Sequence, residues 1–129
     1  MTAIRFGWVF LGGGLGSGAR YLIGTFLVER LGAAFPFGTL AGNLIGSALL
    51  AALVHVSIAT AAVSADLRIG LAAGFLGGFT TYSAFSQETF TYLQDGAWSL
   101  GATYVAVTVI GCLCACLLGQ GVARWLVGG

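Results

Sequence analysis

The chain has 129 residues, of which 58% are hydrophobic and 7% charged, and its formal net charge is +1. Soluble proteins carry about 25% charged residues, so there is too little charge here to cover a water-facing surface, and the composition predicts an integral membrane protein. The near-zero charge also excludes the basic face that a nucleic acid needs, so we expect no nucleic-acid partner.

The first predicted membrane span covers residues 4–28, because about 20 apolar residues cross a bilayer as a helix and Glu29 and Arg30 follow it. We do not interpret this span as a cleaved leader, since the apolar character continues along the whole chain. Arg20 lies within the span. Its side chain either extends to the nearer membrane surface or lines a water-filled vestibule and attracts anions.

Glycine is concentrated in the same span, in GGGLGSGAR at 12–20. The pattern loosely matches the glycine fingerprint of dinucleotide-binding folds, but that fingerprint requires a preceding strand, and here it lies inside an apolar helix. Glycines four residues apart, such as Gly12 and Gly16, instead predict close packing between membrane helices. The same spacing recurs at Gly42 and Gly46 and at Gly70 and Gly74.

The second predicted span covers residues 37–62, after a turn that contains Pro36. Thr39, Asn43 and Ser47 are spaced four apart and share one face of this helix. Threonine and serine hydroxyls can bond to their own helix backbone, whereas an asparagine amide offers two donor hydrogens and an acceptor. We therefore predict that Asn43 belongs to a polar site, with a simple helix–helix hydrogen bond as the alternative.

The third predicted span covers residues 67–92, with Ser64 positioned to cap its start. Within it, GFLGGFTTYSAFSQET at 74–89 makes a poor continuous helix, because glycine and β-branched residues disfavour one. A broken membrane helix exposes carbonyl groups at the end of its first half and amide groups at the start of its second, and these ends bind cations and anions. Tyr82 and Phe85 follow one turn apart, and their ring edges carry partial positive charge. We predict a third helix that is broken in mid-membrane at an ion site.

The fourth predicted span covers residues 97–126. Tyr104, Thr108 and Cys112 share one face of it and form a weaker polar track, which matters only if it faces Asn43. The connections between spans are short, so neighbouring helices are antiparallel and the chain is predicted to be one four-helix transmembrane domain over residues 1–129. The charge bias between the two sides is weak. It allows either an ordinary orientation with the N-terminus inside or insertion in both orientations with antiparallel pairing.

Three stretches together resemble the Fluc family of fluoride channels: GGGLGSGARY at 12–21, GTLAGNLIG at 38–46 and the sequence at 74–89. With the four short spans, the resemblance covers essentially the whole chain. It implies an antiparallel, dual-topology homodimer with two fluoride pores and a structural sodium ion at the dimer centre. Gly77 and Thr80 match the positions whose backbone carbonyls hold that sodium ion.

The resemblance also implies the pore residues. Asn43 matches the pore asparagine, and Tyr82 and Phe85 match two phenylalanines whose ring edges line the pore. The remaining predicted site residues are the polar track of Tyr104, Thr108 and Cys112, the further hydroxyl donors Thr39 and Ser83, and the vestibule residues Arg20 and Glu88. Two of these depart from the family pattern, since Tyr82 replaces a phenylalanine and Cys112 replaces a serine.

We therefore expect a passive fluoride-selective channel, not an enzyme, in the inner (plasma) membrane, through which cytoplasmic fluoride leaves down its electrochemical gradient. Its expected partners are fluoride, sodium, the lipid bilayer and a second copy of the chain. The alternative is a small proton-coupled four-helix multidrug exporter, for which Glu88 would be the proton-carrying carboxylate. A non-transporting assembly protein is a third possibility, but it would not need the polar stripes.

Overall fold

A computed structural model of the protein describes residues 2–129 as helices joined by short turns. The three long helices are α1 (Thr2–Leu31), α2 (Phe37–Ala59) and α6 (Trp98–Val127). Between α2 and α6 lie α3 (Ala65–Ile69), a π-helical segment (Gly70–Leu76), α4 (Gly77–Phe79) and α5 (Tyr82–Gln94). The described chain is all-helical, as the sequence predicts.

Two of the described helices, α2 and α6, are long and apolar enough to cross a membrane. Only 11% of the apolar window of α2 and 6% of that of α6 are buried within the chain, so these are not the core helices of a soluble protein. Their outward surfaces carry large apolar side chains, including Leu49, Val54, Leu113 and Leu117. These helices point to a membrane protein.

The ends of the helices follow local sequence signals. Ser64 caps α3 as predicted, because its hydroxyl oxygen accepts a hydrogen bond from the Leu67 amide at 3.3 Å. α2 ends at Ala59, three residues before the predicted end of its span, because Thr60 adopts an extended backbone with φ −136° and ψ 161°. Arg5 near the start of α1 donates to the Asp66 carboxylate at 2.8 Å, which ties α1 to α3.

Glycines bring α1 and the π-helical segment into backbone contact, as their spacing predicts. A Cβ atom added to Gly16 would overlap the Phe75 carbonyl group, and one added to Gly12 would meet the backbone of Gly70 and Phe75. Only the α1 face with Gly12 and Gly16 makes this contact. A Cβ atom added to Gly14, on another face, would meet no described atom within 4 Å. The π-helical turn, with its wider i to i+5 pairing, lies at this contact.

α4 ends at Phe79, the Thr80 amide still makes a helical bond to the Leu76 carbonyl at 3.0 Å, and helix resumes at Tyr82. Thr80 and Thr81 between them have extended backbones, with φ −90° and ψ 157° for Thr80 and φ −151° and ψ 121° for Thr81. These two residues separate α4 from α5 and are called the Thr80–Thr81 break below. It lies against α2, where a Cβ atom at Gly46 would overlap the Thr80 side chain.

Candidate functional site

Asn43 on α2 pairs with the backbone of Thr81 through both ends of its amide. Its Nδ2 donates to the Thr81 carbonyl at 3.0 Å, and its Oδ1 accepts from the Thr81 amide at 2.8 Å. The pairing holds the extended residue as a neighbouring strand would. Because the amide nitrogen carries two hydrogens, one N–H of Asn43 remains after these bonds are made.

The Thr80–Thr81 break diverts two backbone amides from helical pairing. In an uninterrupted helix the Thr81 amide would bond to the Gly77 carbonyl, and the Ala84 amide would bond to the Thr80 carbonyl. Here the Thr81 amide donates to Asn43, and the Ala84 amide donates to the Thr81 hydroxyl at 3.2 Å. The carbonyls of Gly77 and Thr80 are therefore released from their helical partners.

An open cavity of about 460 Å³ collects seven of the residues predicted to form the ion sites. They come from α2, from the segment around the break and from α6, and they are Asn43, Gly77, Thr80, Tyr82, Phe85, Thr108 and Cys112. The polar track of α6 thus faces Asn43, at least in its Thr108 and Cys112 part. Below, this space is called the central cavity.

Thr108 contributes a hydroxyl group that bonds to none of the described residues. The residue is 6% exposed and lines the central cavity, and its Oγ1 has no hydrogen-bond partner among the described residues. Buried hydroxyls in proteins are nearly always hydrogen-bonded, because an unpaired one costs about 1–3 kcal/mol. An unpaired buried donor beside a cavity suits a ligand that accepts a hydrogen bond.

The aromatic pair at the start of α5 presents ring edges near the same cavity. Tyr82 and Phe85 lie with ring centroids 5.8 Å apart and an interplanar angle of 65°. Phe85 is buried, whereas Tyr82 is 80% exposed. Ser83 is exposed beside them, with its Oγ 3.3 Å from the Thr81 hydroxyl.

A second group of predicted residues, Thr39, Glu88 and Tyr104, forms around the Glu88 carboxylate and does not line the central cavity. The Thr39 hydroxyl donates to Glu88 Oε1 at 2.7 Å, and the Tyr104 hydroxyl donates to Oε2 at 2.5 Å. Tyr104 is fully buried, and three aromatic rings surround it edge-on, those of Phe35, Phe85 and Tyr92. The Phe85 ring contacts the Tyr104 ring and also lines the central cavity, so this group of residues, called the Glu88 cluster below, adjoins the cavity.

Arg20 lines another cavity with Glu29 and Thr39, at the α1–α2 surface. Its side chain is half-buried, and its Nε donates to the Gly78 carbonyl at 3.2 Å. The guanidinium is thus attached to the backbone just before the Thr80–Thr81 break. Glu88 forms its described bonds with Thr39 and Tyr104 rather than with Arg20 or Arg30.

Sequence reasoning missed three features of the site. The pairing of Asn43 with Thr81, the bond of Arg20 to Gly78 and the aromatic enclosure of Tyr104 by Phe35 all join residues far apart in sequence. No spacing within one helix signals them. The one available signal was the amide of Asn43 inside an apolar span, which requires hydrogen-bond partners but does not identify them.

Comparisons with known proteins agree on one family. Residues 7–120 match the profile of the family described as CrcB-like protein, Camphor Resistance (CrcB). A relative from Sorangium cellulosum, named fluoride-specific ion channel FluC, is 45% identical over 97% of this chain and 98% of its own length. Relatives of the same name from Anaeromyxobacter sp. and Citrifermentans bemidjiense are 48% and 43% identical, over 93% and 92% of this chain and 95% and 96% of their own lengths.

Proposed function

Because the chain belongs to the CrcB family, we propose that it is a passive fluoride-selective channel that lets cytoplasmic fluoride leave the cell down its electrochemical gradient. A channel changes no covalent bond, so the protein is not an enzyme. The chain is a membrane protein, and we assign it to the inner membrane with four spans. The third of these is interrupted at the Thr80–Thr81 break.

The unpaired Thr108 hydroxyl in the central cavity is the observation that carries this proposal. Fluoride is small and strongly hydrated, so a pore must replace its water with hydrogen-bond donors. Thr108 offers one such donor, and the remaining N–H of Asn43 offers another in the same cavity. We assign both to the fluoride path, with Cys112 continuing the track along α6.

Aromatic ring edges supply the next contacts of the proposed path. The edge of a ring carries partial positive charge without a fixed cation, so it attracts an anion and still allows it to leave, as conduction requires. Phe85 suits this role because its ring adjoins both the central cavity and Tyr104. Tyr82 retains a ring edge where the family has phenylalanine, and the nearby Ser83 adds a hydroxyl donor.

The Glu88 cluster, which comprises Thr39, Glu88 and Tyr104, forms the end of the proposed path opposite to the central cavity. The hydroxyls of Thr39 and Tyr104 are donors that fluoride could use, and both donate to the Glu88 carboxylate. The carboxylate therefore competes for the same donors as the passing anion. Thr39 also lines the cavity that contains Arg20, which gives this end access to a vestibule.

A second copy of the chain, inserted in the opposite orientation, completes the proposed channel. The central cavity is open in a single copy, and its lining includes the exposed residues Gly77 and Tyr82. Exposed apolar side chains of α6, such as Leu113, border the same opening. A dual-topology homodimer with two pores would cover this surface, and the weak charge bias of the loops permits both orientations.

The carbonyl groups of Gly77 and Thr80 fit a structural sodium ion at the centre of this dimer. A hard cation prefers oxygen ligands, and these two carbonyls have lost their helical amide partners to Asn43 and Thr81. Both residues line the open central cavity, where a second copy could bring its own pair. When bound, the ion would neutralise the carbonyl dipoles that meet there.

The proton-coupled exporter is not favoured. It would need a carboxylate free to exchange protons with water, and both oxygens of Glu88 accept hydrogen bonds from hydroxyls on other helices. The relatives named above are channels by name.

Fluoride efflux from liposomes tests the proposal. Vesicles loaded with potassium fluoride and potassium chloride should release fluoride when the purified protein and a potassium ionophore are present, and should retain chloride. Phe85→Ile removes the ring edge and should reduce the fluoride rate about tenfold or more. Equal release of both halides, or release of neither, would refute the proposed selectivity.

A separate measurement tests the sodium site. Melting temperatures of the protein in detergent should be higher in sodium chloride than in potassium chloride at the same concentration, since a ligand that binds only the folded state stabilises it. Equal melting temperatures in the two salts would remove the sodium ion from the proposal and leave the fluoride path untouched.

A further inference from the structure

Three residues of α1 converge on Gly78, the residue two positions before the Thr80–Thr81 break. Gly13, Ser17 and Arg20 are spaced so that they share one face of α1. A Cβ atom at Gly78 would overlap the Gly13 backbone, Ser17 Oγ lies 3.4 Å from the Gly78 carbonyl oxygen, and Arg20 Nε donates to that oxygen at 3.2 Å. One peptide group is thus fixed by backbone contact and by two side-chain donors.

The Gly78 carbonyl belongs to the last turn of α4, which ends at Phe79. The C-terminal end of a helix carries partial negative charge, and a hydrogen bond from a charged donor is stronger than a neutral one. An arginine inside a membrane span is costly unless it finds a partner. The Nε bond gives the guanidinium a partner and gives the carbonyl at this helix end a charged donor.

We propose that Arg20 is a positioning residue, which holds the Thr80–Thr81 break in its open geometry through the Nε–Gly78 bond rather than attracting anions by its charge. The inference rests on the proposed fluoride path. Arg20 holds the backbone from the α1 side at Gly78, and Asn43 holds it from the α2 side at Thr81. Loss of either contact would let the carbonyl and amide groups between them turn away from the central cavity.

Two substitutions at Arg20 separate a hydrogen-bond role from a charge role. Arg20→Gln carries a nitrogen donor at the same number of bonds from Cα as arginine Nε, but it has no charge. Arg20→Lys keeps the charge, but it has a methylene group where Nε was. Under the proposal, fluoride efflux with Arg20→Gln stays within about threefold of the wild type, and efflux with Arg20→Lys falls about tenfold or more, because a bond to a charged donor is lost.

Arg20→Met and Arg30→Gln complete the set. Arg20→Met has neither donor nor charge, so its fluoride efflux should fall at least as far as that of Arg20→Lys. Arg30→Gln removes a charge from the same helix at an exposed position, where the guanidinium lies 5.3 Å from the Phe26 ring, and it should conduct as the wild type does. Gel filtration in detergent shows whether each variant is assembled.

The ranking of the variants decides the question. Efflux that is lost in Arg20→Gln and retained in Arg20→Lys would overturn the proposal in favour of anion attraction. Equal efflux in all three Arg20 variants, or equal loss in all three, would overturn it too, because the Nε bond would then not be the determinant. If Arg20→Met fails to assemble, the comparison of glutamine with lysine still decides. Failure of the proposed function would appear differently, as absent fluoride efflux in the wild type.

Discussion

The chain around the Thr80–Thr81 break has two faces that are covered in different ways. Toward α1, glycines allow backbone to touch backbone, with Gly16 against Phe75 and Gly78 against Gly13. Toward the central cavity, the carbonyls of Gly77 and Thr80 are released from their helical amide partners and Gly77 is exposed. The contrast teaches that close packing on one side fixes an irregular backbone whose polar groups remain available on the other.

The largest loss of stability should come from a substitution on the face that packs against α1, called the packed face below. Gly16→Ala adds a Cβ atom that overlaps the Phe75 carbonyl, which is backbone and cannot rotate away. We expect about 3 kcal/mol of destabilisation and little assembled protein, measured by thermal melting in detergent.

Gly14→Ala is the matched control, since a Cβ atom there meets no described atom within 4 Å. It should be neutral or slightly stabilising, because alanine favours a helix over glycine by up to about 1 kcal/mol. Equal melting temperatures for the two variants would contradict the assignment of the packed face.

Asn43→Ala should lower both the stability of the protein and its fluoride efflux. It leaves the amide and the carbonyl of Thr81 without their partners, which costs about 2 kcal/mol of stability, and it removes a fluoride donor, so efflux should nearly cease. Thr91→Ala is the control, because that exposed hydroxyl bonds only within its own helix, to the Gln87 carbonyl. A variant of Asn43 with normal melting and normal efflux would show that the break does not depend on this pairing.

The Arg5–Asp66 ion pair should contribute less to stability than the Asn43 pairing does, although it joins α1 to α3. Both side chains are partly exposed, at 37% and 45%, and such pairs contribute about 0.2–1 kcal/mol. A double-mutant cycle of Arg5→Ala and Asp66→Ala, measured by melting, should give a coupling of this size that declines in high salt. A coupling that is several times larger, or one that is independent of salt, would mean that the pair is far less accessible to water than its exposure indicates.

The smallest effect should follow from Tyr82→Phe. The Tyr82 ring keeps its edge when the hydroxyl is removed, so fluoride efflux should change by less than about twofold, whereas Tyr82→Leu, which removes the ring, should reduce efflux several-fold. A large loss in Tyr82→Phe would show that the hydroxyl takes part in conduction.

Local signals predicted the helices better than they predicted the contacts between them. The Ser64 cap and the run of glycine and threonine at 74–81 act within a few residues, so the sequence revealed them. The π-helical turn lies where Phe75 meets Gly16 of another helix, and the partner of Asn43 lies 38 residues away. Such contacts are set by tertiary packing, which no periodicity within one helix records.

Thr108→Val tests most directly whether fluoride passes through the central cavity beside the Thr80–Thr81 break. Valine has nearly the shape of threonine, and the hydroxyl that it removes has no partner among the described residues, so the melting temperature should stay the same or rise. Fluoride efflux from liposomes should nevertheless fall about tenfold, because a donor of the path is lost. Undiminished efflux in this variant would contradict the account.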